Sequence, residues 1–346
     1  MLAEIASIIT ASVLISQVAP GDPEWEHDPL QEEDASPFLR FRGGDNQTIL
    51  SGRLFLPHPT SSPPPIIILA HGLGLSQDCS LEPFVQAFLK AGWAAFTFDY
   101  ATFGASDGYP RHQTIPSHHI RDIQAAVSMI RSKSEQLGVD ATCMGLWGTS
   151  FAGGHVSMVA SLDHSFRAVV GLVPHMSSPT ESVVGTLIRD PWSTTKAVVK
   201  LLAALGKWAI VRLLFQRTSY IPLHGPPGSS AVMQNPGDDE GYAGLIPKDG
   251  GKYGWRNAVT VGSMARTLLY RPLNHVAEIR SPTLYIAAEH DTLCPAASCA
   301  AAVQKNPKIK LLVIPKVGHF DMYQGEILEQ VLAKTVGFFQ ELLKQQ

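Results

Sequence analysis

The sequence predicts an α/β protein whose central sheet is mainly parallel and covered by helices on both faces. Short apolar runs alternate with segments of helical periodicity along most of the 346 residues, which is the pattern of repeated βα units. The runs are apolar throughout, as expected for strands buried on both faces of a parallel sheet. One run is followed by a cluster of small residues, which a sharp turn from strand to helix requires.

The elements follow from these runs in chain order. The predicted strands are Phe38–Arg42, Leu50–Leu56, Ile66–Ala70, Ala94–Phe98, Thr142–Trp147, Ala168–Val173, Thr283–Ala288 and Lys310–Ile314. The predicted helices are Glu82–Lys90, Ile120–Leu137, Phe151–Ser161, Ala296–Lys305 and Ile327–Lys344. The first two strands are expected to form an antiparallel hairpin at one edge of the sheet. The expected domains are an N-terminal extension (1–36), a core in two parts (37–175 and 273–346) and a helical cap insertion (176–272).

The N-terminal extension starts with the apolar stretch Ile5–Ala19, which is short for a membrane span and lacks the positive start of a signal peptide. We interpret it as a packing helix or extension and expect a cytoplasmic protein without stable membrane insertion. The alternative is a secreted protein in which residues 1–19 act as a leader. The sequon Asn46-Gln47-Thr48 would be used only in that case. The acidic, proline-rich stretch Gly21–Asp34 is expected to be a loop or partly disordered.

Composition excludes several classes of partner and cofactor. Charged residues make up 16% of the chain and the net charge is −3, so nothing favours binding to nucleic acid or to an anionic membrane. The 13 histidines show no metal-ligand spacing, and neither a metal nor another cofactor is predicted. The four cysteines form no disulfide pattern, so all four are expected to be free. Cys143 is expected to be inaccessible, and Cys294 or Cys299 more accessible.

Ser150 is the candidate nucleophile. It lies in Gly148-Thr149-Ser150-Phe151-Ala152-Gly153-Gly154, directly after a predicted strand, and small neighbours are what a strained nucleophile turn needs. Asp291 and His319 also follow strands, Thr283–Ala288 and Lys310–Ile314. Because sites in open α/β sheets form at the carboxyl edge of the strands, the three residues are expected to meet there. An imidazole that is oriented by a carboxylate would activate the serine hydroxyl.

The oxyanion of such a reaction needs two backbone N–H donors. We expect one from Phe151 and the other from Leu73, in the turn His71-Gly72-Leu73-Gly74 after Ile66–Ala70.

Other titratable residues are weaker candidates. Asp99 and Asp107 follow the fourth strand and are interpreted as structural. Glu289 is a substitute for Asp291 as the acid, and His290 precedes Asp291 and is in the wrong place for the base. His155 lies five residues after the serine on the predicted helix, so it is expected to point away from the turn as a hydrogen-bonded core residue.

The regular alternation stops after Pro174 and resumes near Ser281. Within this interval Lys196–Leu214 is expected to be helical and strongly apolar, Ile221–Gly254 a loop, and Arg256–Tyr270 helical. An insertion at this point would lie over the carboxyl edge of the sheet as a cap. Its apolar residues are candidates for an acyl pocket, although packing alone would also explain each of them. They are Trp192, Leu201, Leu202, Trp208, Leu213 and Phe215, of which Trp192 and Trp208 are the chosen pocket residues.

The motif set resembles the α/β-hydrolase superfamily. It comprises the turn His71–Gly74, Phe98-Asp99-Tyr100 with Phe103–Gly108, the serine turn, Asp291 and Gly318-His319, in the chain order Ser, Asp, His. Within the superfamily the chain most resembles fungal polyketide acyltransferases and thiohydrolases, and more distantly dienelactone-hydrolase-like esterases. The turn departs from G-x-S-x-G because Ala152 replaces the last glycine.

The resemblance implies an acyl-enzyme at Ser150 and a small-molecule acyl substrate, possibly bound to a carrier protein, in secondary metabolite biosynthesis. Hydrolysis of an ester or thioester is the favoured activity. Acyl transfer to an alcohol would use the same acyl-enzyme and stays open. A cyclase or lyase without an acyl-enzyme and a non-catalytic binding protein are the further alternatives. The oligomeric state also stays open.

Overall fold

A computed structural model of the protein describes residues 38–58, 62–177, 206, 218–251 and 253–343. Within these residues the strands are β1 Leu39–Arg42, β2 Ile49–Phe55, β3 Pro65–Ala70, β4 Ala94–Phe98, β5 Asp140–Thr149, β6 Ala168–Leu172, β7 Tyr220–Ile221, β8 Val259–Thr260, β9 Thr283–Ala288 and β10 Ile309–Ile314. The α-helices are α1 Glu82–Lys90, α2 Pro116–Ser132, α3 Ser134–Leu137, α4 Phe151–Leu162, α5 Asp238–Ala243, α6 Val261–Thr267, α7 Ala296–Lys305 and α8 Gly325–Leu343. Short 3-10 turns cover Pro272–Asn274, Val276–Glu278 and Phe320–Tyr323.

Eight of these strands form one sheet in the order β1-β2-β4-β3-β5-β6-β9-β10. Strand β2 runs antiparallel to both of its neighbours, and every pair from β4 to β10 is parallel. The predicted fold class and the predicted hairpin of the first two strands are therefore confirmed. Strands β7 and β8 form a separate antiparallel pair.

Helices cover both faces of the sheet, as the apolar strands predict. Successive residues of β3 point to opposite faces, so Ile66 and Ile68 belong to one core cluster and Ile67 and Leu69 to the other. The first cluster packs beneath α2, α4 and α7, and the second beneath α1 and α8. A third cluster joins Leu75, after β3, to Leu223, Met233, Tyr242 and Val259 of the segment between β6 and β9.

Three element predictions are wrong. The helix Ile120–Leu137 starts earlier, because Pro116 suits the first turn, and is interrupted at Lys133. The predicted loop Ile221–Gly254 contains α5, whose first turn carries three acidic residues that suit a helix N-terminus. The predicted helix Arg256–Tyr270 is helical only in α6, because Val259 and Thr260 pair with β7.

The extension 1–36 and the helix predicted for Lys196–Leu214 lie outside the described residues, apart from Gly206. No helix in the described part of the chain is long and apolar enough to cross a membrane.

Candidate active site

The turn between β5 and α4 has the geometry of a nucleophile elbow. Ser150, between the two elements, has φ 53° and ψ −120°, a strained conformation for a residue with a side chain. Small residues surround it out of necessity: a Cβ on Gly148 would lie 2.5 Å from the carbonyl oxygen of Ala152, and one on Gly153 would lie 2.6 Å from Cβ of Pro174. The Ala152 side chain itself is accommodated in the core, so the departure from the glycine pattern does not prevent the turn.

Asp291 and His319 meet at the carboxyl edge of the sheet, each in the loop after its strand. The Nδ1 atom of His319 lies 2.6 Å from Oδ2 of Asp291, and both residues are 6% exposed. The other carboxylate oxygen, Oδ1, accepts hydrogen bonds from the backbone N–H groups of Leu293 at 2.8 Å and Cys294 at 2.7 Å. A carboxylate held in this way fixes the proton on Nδ1, which leaves Nε2 of the imidazole free to act as a base.

The two residues expected to donate to the oxyanion, Phe151 and Leu73, line the same cavity as the serine. Phe151 is the first residue of α4, where the backbone N–H has no acceptor within the helix. The turn after β3 approaches the elbow closely, since a Cβ on Gly72 would lie 3.4 Å from Cβ of Ser150. Leu73, Phe151, Ser150 and His319 all line one cavity.

This cavity has a volume of about 430 Å³ and mostly apolar walls. Its apolar lining comes largely from the segment between β6 and β9 and from the loops after β9 and β10, and includes Val232, Met233, Leu245, Met264, Leu293 and Phe320. Among the described residues that line it there is no Asp, Glu, Lys or Arg. The predicted pocket residues Trp192 and Trp208, and the four other apolar residues named with them, lie outside the described residues.

Cys294 is a cavity residue that the sequence did not indicate. Cys294 and Cys299 were expected to be more accessible than Cys143, but they are 4% and 0% exposed against 2%, and all four cysteines are free and buried. The backbone N–H of Cys294 donates to Asp291, and this hydrogen bond places Cys294 next to the cavity. Burial raises the pKa of its thiol well above the usual value, so the group is a neutral neighbour of the serine.

Donor atoms of Asp291, Cys294 and His319 lie within 4.8 Å of one another, a set that could in principle hold a metal ion. Both oxygens of Asp291 are already used, one by His319 and one by backbone N–H groups. The arrangement is therefore that of a hydrogen-bonded Asp–His pair whose loop is fixed by backbone N–H groups.

The weaker candidates are engaged elsewhere. Asp99 is buried and accepts hydrogen bonds from Gln77 and Ala105, and burial raises its pKa to about 6. Asp107 forms an exposed ion pair with Arg40. Glu289 is exposed and accepts a hydrogen bond from the N–H of Lys316, and His290 is also exposed.

His155 is fully buried, as expected for a core residue. Its Nδ1 lies 2.7 Å from the hydroxyl of Tyr270 and its Nε2 lies 3.3 Å from Nδ1 of His119.

The sequence also missed His175, Tyr242 and Tyr323, which line the cavity with Ser150. His175 follows β6 and donates its backbone N–H to the carbonyl of Ser150 at 2.9 Å. The hydroxyl of Tyr323 bonds that of Thr149, next to the nucleophile. The acidic run Asp238-Asp239-Glu240 after Gly237 was the available signal for a helix that would carry Tyr242.

Comparison with known proteins supplies an independent line of evidence. A family model described as serine aminopeptidase, S33 matches residues 61–322. The quorum-quenching protein AidA of Acinetobacter baumannii (strain MDR-ZJ06) is 28% identical over 298 residues, which cover 86% of this chain and 93% of that protein. The polyketide transferase af380 of Aspergillus fumigatus is 23% identical over 304 residues, which cover 85% and 94% of the two chains. The solved structure of the α/β hydrolase GrgF from Penicillium sp. sh18 superimposes with a TM-score of 0.68 at 22% identity, over 88% of this chain and 98% of that one.

Proposed function

The chain belongs to the serine aminopeptidase S33 family of α/β-hydrolases, and on that premise we propose that it cleaves an ester or thioester of a bulky apolar acyl group through an acyl-enzyme at Ser150. One observation carries the proposal: the strained Ser150 and His319 line the same apolar cavity, and Asp291 holds the His319 imidazole through a hydrogen bond. In α/β-hydrolases such an arrangement works as a general base next to a nucleophile: the carboxylate stabilises the charged imidazole, and the imidazole takes the serine proton.

The proposed reaction has two halves. Oγ of Ser150 attacks the acyl carbonyl while Nε2 of His319 takes the hydroxyl proton, and Asp291 stabilises the imidazolium. The N–H groups of Leu73 and Phe151 stabilise the oxyanion of the tetrahedral intermediate. The intermediate collapses, and the alcohol or thiol leaves with the proton held by His319. Water then repeats the sequence on the acyl-serine and releases the acid.

The character of the cavity supports an uncharged acyl group. A charged group taken into walls such as Val232, Met233 and Met264 would lose its hydration without gaining a partner. An apolar chain would gain about 0.8 kcal/mol for each buried methylene. The similarity to polyketide transferases, and to the thiohydrolase aneE of Aspergillus aculeatus at 30% identity over 125 residues, supports a polyketide-like acyl group and a role in secondary metabolite biosynthesis.

Acyl transfer to an alcohol is the second candidate, because several similar proteins are described as polyketide transferases. It shares the acyl-enzyme and differs only in the second nucleophile. We propose that residues 176–272 act as a cap in either case, since their described part supplies much of the cavity wall over Ser150. A dry cavity favours an alcohol over water at the second step.

The test is intact-protein mass spectrometry after incubation with a fluorophosphonate and with acyl-thioesters of increasing length. The wild-type protein should gain the mass of the phosphonate or acyl group, and Ser150→Ala should gain neither. Ratios of acid to ester product in the presence of a simple alcohol then separate hydrolysis from transfer. Ester turnover by Ser150→Ala at the wild-type rate would overturn the acyl-enzyme.

A paired substitution tests the cavity. Ala265 lines it, whereas Leu269, four residues later, is 83% exposed and does not. Ala265→Phe should reduce kcat/KM for long acyl esters far more than for acetate esters, and Leu269→Phe should leave the chain-length profile unchanged. Equal effects of Ala265→Phe on all chain lengths would show that the acyl group binds elsewhere.

A further inference from the structure

Two side chains from the segment between β6 and β9 bond the turn after β3. The hydroxyl of Tyr242, in α5, donates to the carbonyl oxygen of Leu73 at 2.7 Å. Nε1 of Trp255 donates to the carbonyl oxygen of Gly74 at 2.9 Å. These are the carbonyls of two successive peptides, and they directly follow the N–H of Leu73 that we assign to the oxyanion.

The turn has little support from its own backbone. The bond that closes it, from the N–H of Leu75 to the carbonyl of Gly72, is long at 3.4 Å. Gly74 has φ +68°, a conformation that glycine adopts freely, and a Cβ there would lie 2.3 Å from Leu223. Within the turn, Nδ1 of His71 lies 3.1 Å from the carbonyl oxygen of Gly72. The next two carbonyls, of Leu73 and Gly74, receive their hydrogen bonds from side chains outside the turn.

The two donors are themselves held firmly. Tyr242 is 2% exposed, and burial keeps its pKa well above the usual value, so it remains a hydroxyl donor. Its ring stacks on His224 at 4.9 Å, and Nδ1 of His224 lies 2.6 Å from Asp239 on the same helix. The ring of Trp255 lies 5.9 Å from that of Tyr242.

The same helix also contacts the loop that carries the base. A Cβ on Gly241 would lie 2.5 Å from the ring of Phe320, the residue after His319. The rings of Tyr242 and Phe320 are 6.3 Å apart and nearly perpendicular. Helix α5 thus borders both the oxyanion turn and the histidine loop, although it belongs to neither part of the sheet core.

We propose that Tyr242 and Trp255 are positioning residues that tie the Leu73 and Gly74 carbonyls away from the nucleophile and so orient the N–H of Leu73 toward the oxyanion. The inference rests on the proposed function of Ser150. An oxyanion donor acts on the transition state and not on the bound substrate. A loosened turn therefore lowers kcat and leaves KM nearly unchanged.

The decisive variant is Tyr242→Phe, which keeps the ring and removes the hydroxyl. With p-nitrophenyl butyrate, kcat should fall roughly 10- to 100-fold, somewhat less than the loss of a whole oxyanion donor, and KM should change little. Affinity for a trifluoromethyl ketone, which forms a tetrahedral oxyanion on the serine, should fall by the same factor as kcat. The matched control is Tyr285→Phe, which removes a buried hydroxyl that bonds Ser157 at 2.8 Å in the core, and it should leave kcat and inhibitor affinity unchanged.

Trp255→Phe tests the second bond and replaces Tyr242→Phe should that variant not fold. Wild-type kcat and wild-type ketone affinity in the folded variants would overturn the positioning role. So would a rise in KM without a loss of ketone affinity, because that result indicates a contact with the substrate. The rate of fluorophosphonate labelling separates the two proposals. Labelling of wild type and Tyr242→Phe at equal rates contradicts this inference alone, whereas an unlabelled wild-type Ser150 overturns both.

Discussion

The two carboxylate oxygens of Asp291 accept hydrogen bonds from different partners. One oxygen fixes the loop through the N–H groups of Leu293 and Cys294, and the other holds His319. An asparagine could keep the shape of the loop, but its amide N–H₂ cannot accept the Nδ1–H of the imidazole or stabilise a positive ring. The proposed mechanism therefore requires the charge of this side chain as well as its shape.

We predict that Asp291→Asn folds and that its kcat falls by a factor on the order of 10³ or more. Glu289→Gln, the matched change two residues earlier, should stay near the wild-type rate because Glu289 is exposed and its partners are the N–H of Lys316 and the exposed His290. Ester hydrolysis by the two purified variants, with circular dichroism to verify folding, decides the point. An active Asp291→Asn beside an inactive Glu289→Gln would reassign the acid.

Helix α4 shows how an element limits the sequence at the elbow. Its first turn packs against the loop after β6 and against the turn that starts at Pro272. A Cβ on Gly154 would lie 2.3 Å from the carbonyl oxygen of His175 and 2.9 Å from Pro272, whereas Ala152 already carries a methyl group in the core. Glycine is thus required at position 154, where the backbone of another loop approaches, and is not required at position 152.

We therefore expect Gly154→Ala and Ala152→Gly to differ. Gly154→Ala must displace a backbone carbonyl, and overpacking of this kind costs about 1–3 kcal/mol. It should also lower kcat, because the carbonyl belongs to a loop that bonds Ser150. Ala152→Gly should cost about 1 kcal/mol, the usual helix penalty of glycine, and keep kcat. Urea unfolding and ester turnover measure both effects, and equal losses in the two variants would contradict this account.

The elements differ in how far they could be predicted from sequence. The strands of the main sheet are apolar on both faces, and Ser150, Asp291 and His319 each follow one of them, so fold class and candidate triad were accessible. Helix α5 has only six residues, and the pair β7–β8 only two residues per strand. Elements this short depend on tertiary contacts. The carbonyl that Tyr242 bonds is 169 positions away in the chain, which no local pattern indicates.

At the scale of the described molecule, burial keeps five histidines in neutral form. Burial lowers the pKa of each below its ordinary value: His71 to about 4, His112 to about 3, His119 to about 3, His175 to about 4 and His155 further. Burial has the opposite effect on two carboxyl groups and raises the pKa of Asp99 and of Asp122 to about 6. The two sets respond to acid with opposite signs.

Below pH 6.5 the unfolded chain takes up protons on these histidines while the folded chain does not. The histidines therefore make the free energy of unfolding fall as the pH is lowered. Asp99 and Asp122 bind protons at a higher pH in the folded state than in the unfolded state. They therefore make the free energy of unfolding rise as the pH is lowered from about 6 to 4. Because the histidines outnumber the two carboxyl groups, we predict that the free energy of unfolding falls between pH 7 and 5. The slope is about 1.4 kcal/mol per pH unit for each net proton.

Denaturant unfolding at a series of pH values gives this slope directly. His119→Phe keeps a ring against Tyr100, whose ring lies parallel at 4.1 Å. It should reduce the slope by about the contribution of one proton. His290→Gln, at a largely exposed histidine, is the control and should not change it. A stability that is constant or rises from pH 7 to 5 would be inconsistent with neutral buried histidines.

Strands β6 and β9 are neighbours in the sheet, although the chain leaves one at Leu172 and enters the other at Thr283. The ribosome therefore completes the nucleophile long before the acid and the base. At ordinary rates of synthesis the interval is roughly 10–30 seconds, during which Ser150 has no partner to take its proton. Under the proposed mechanism, a chain that ends before His319 therefore has a serine without its base and forms no acyl-enzyme.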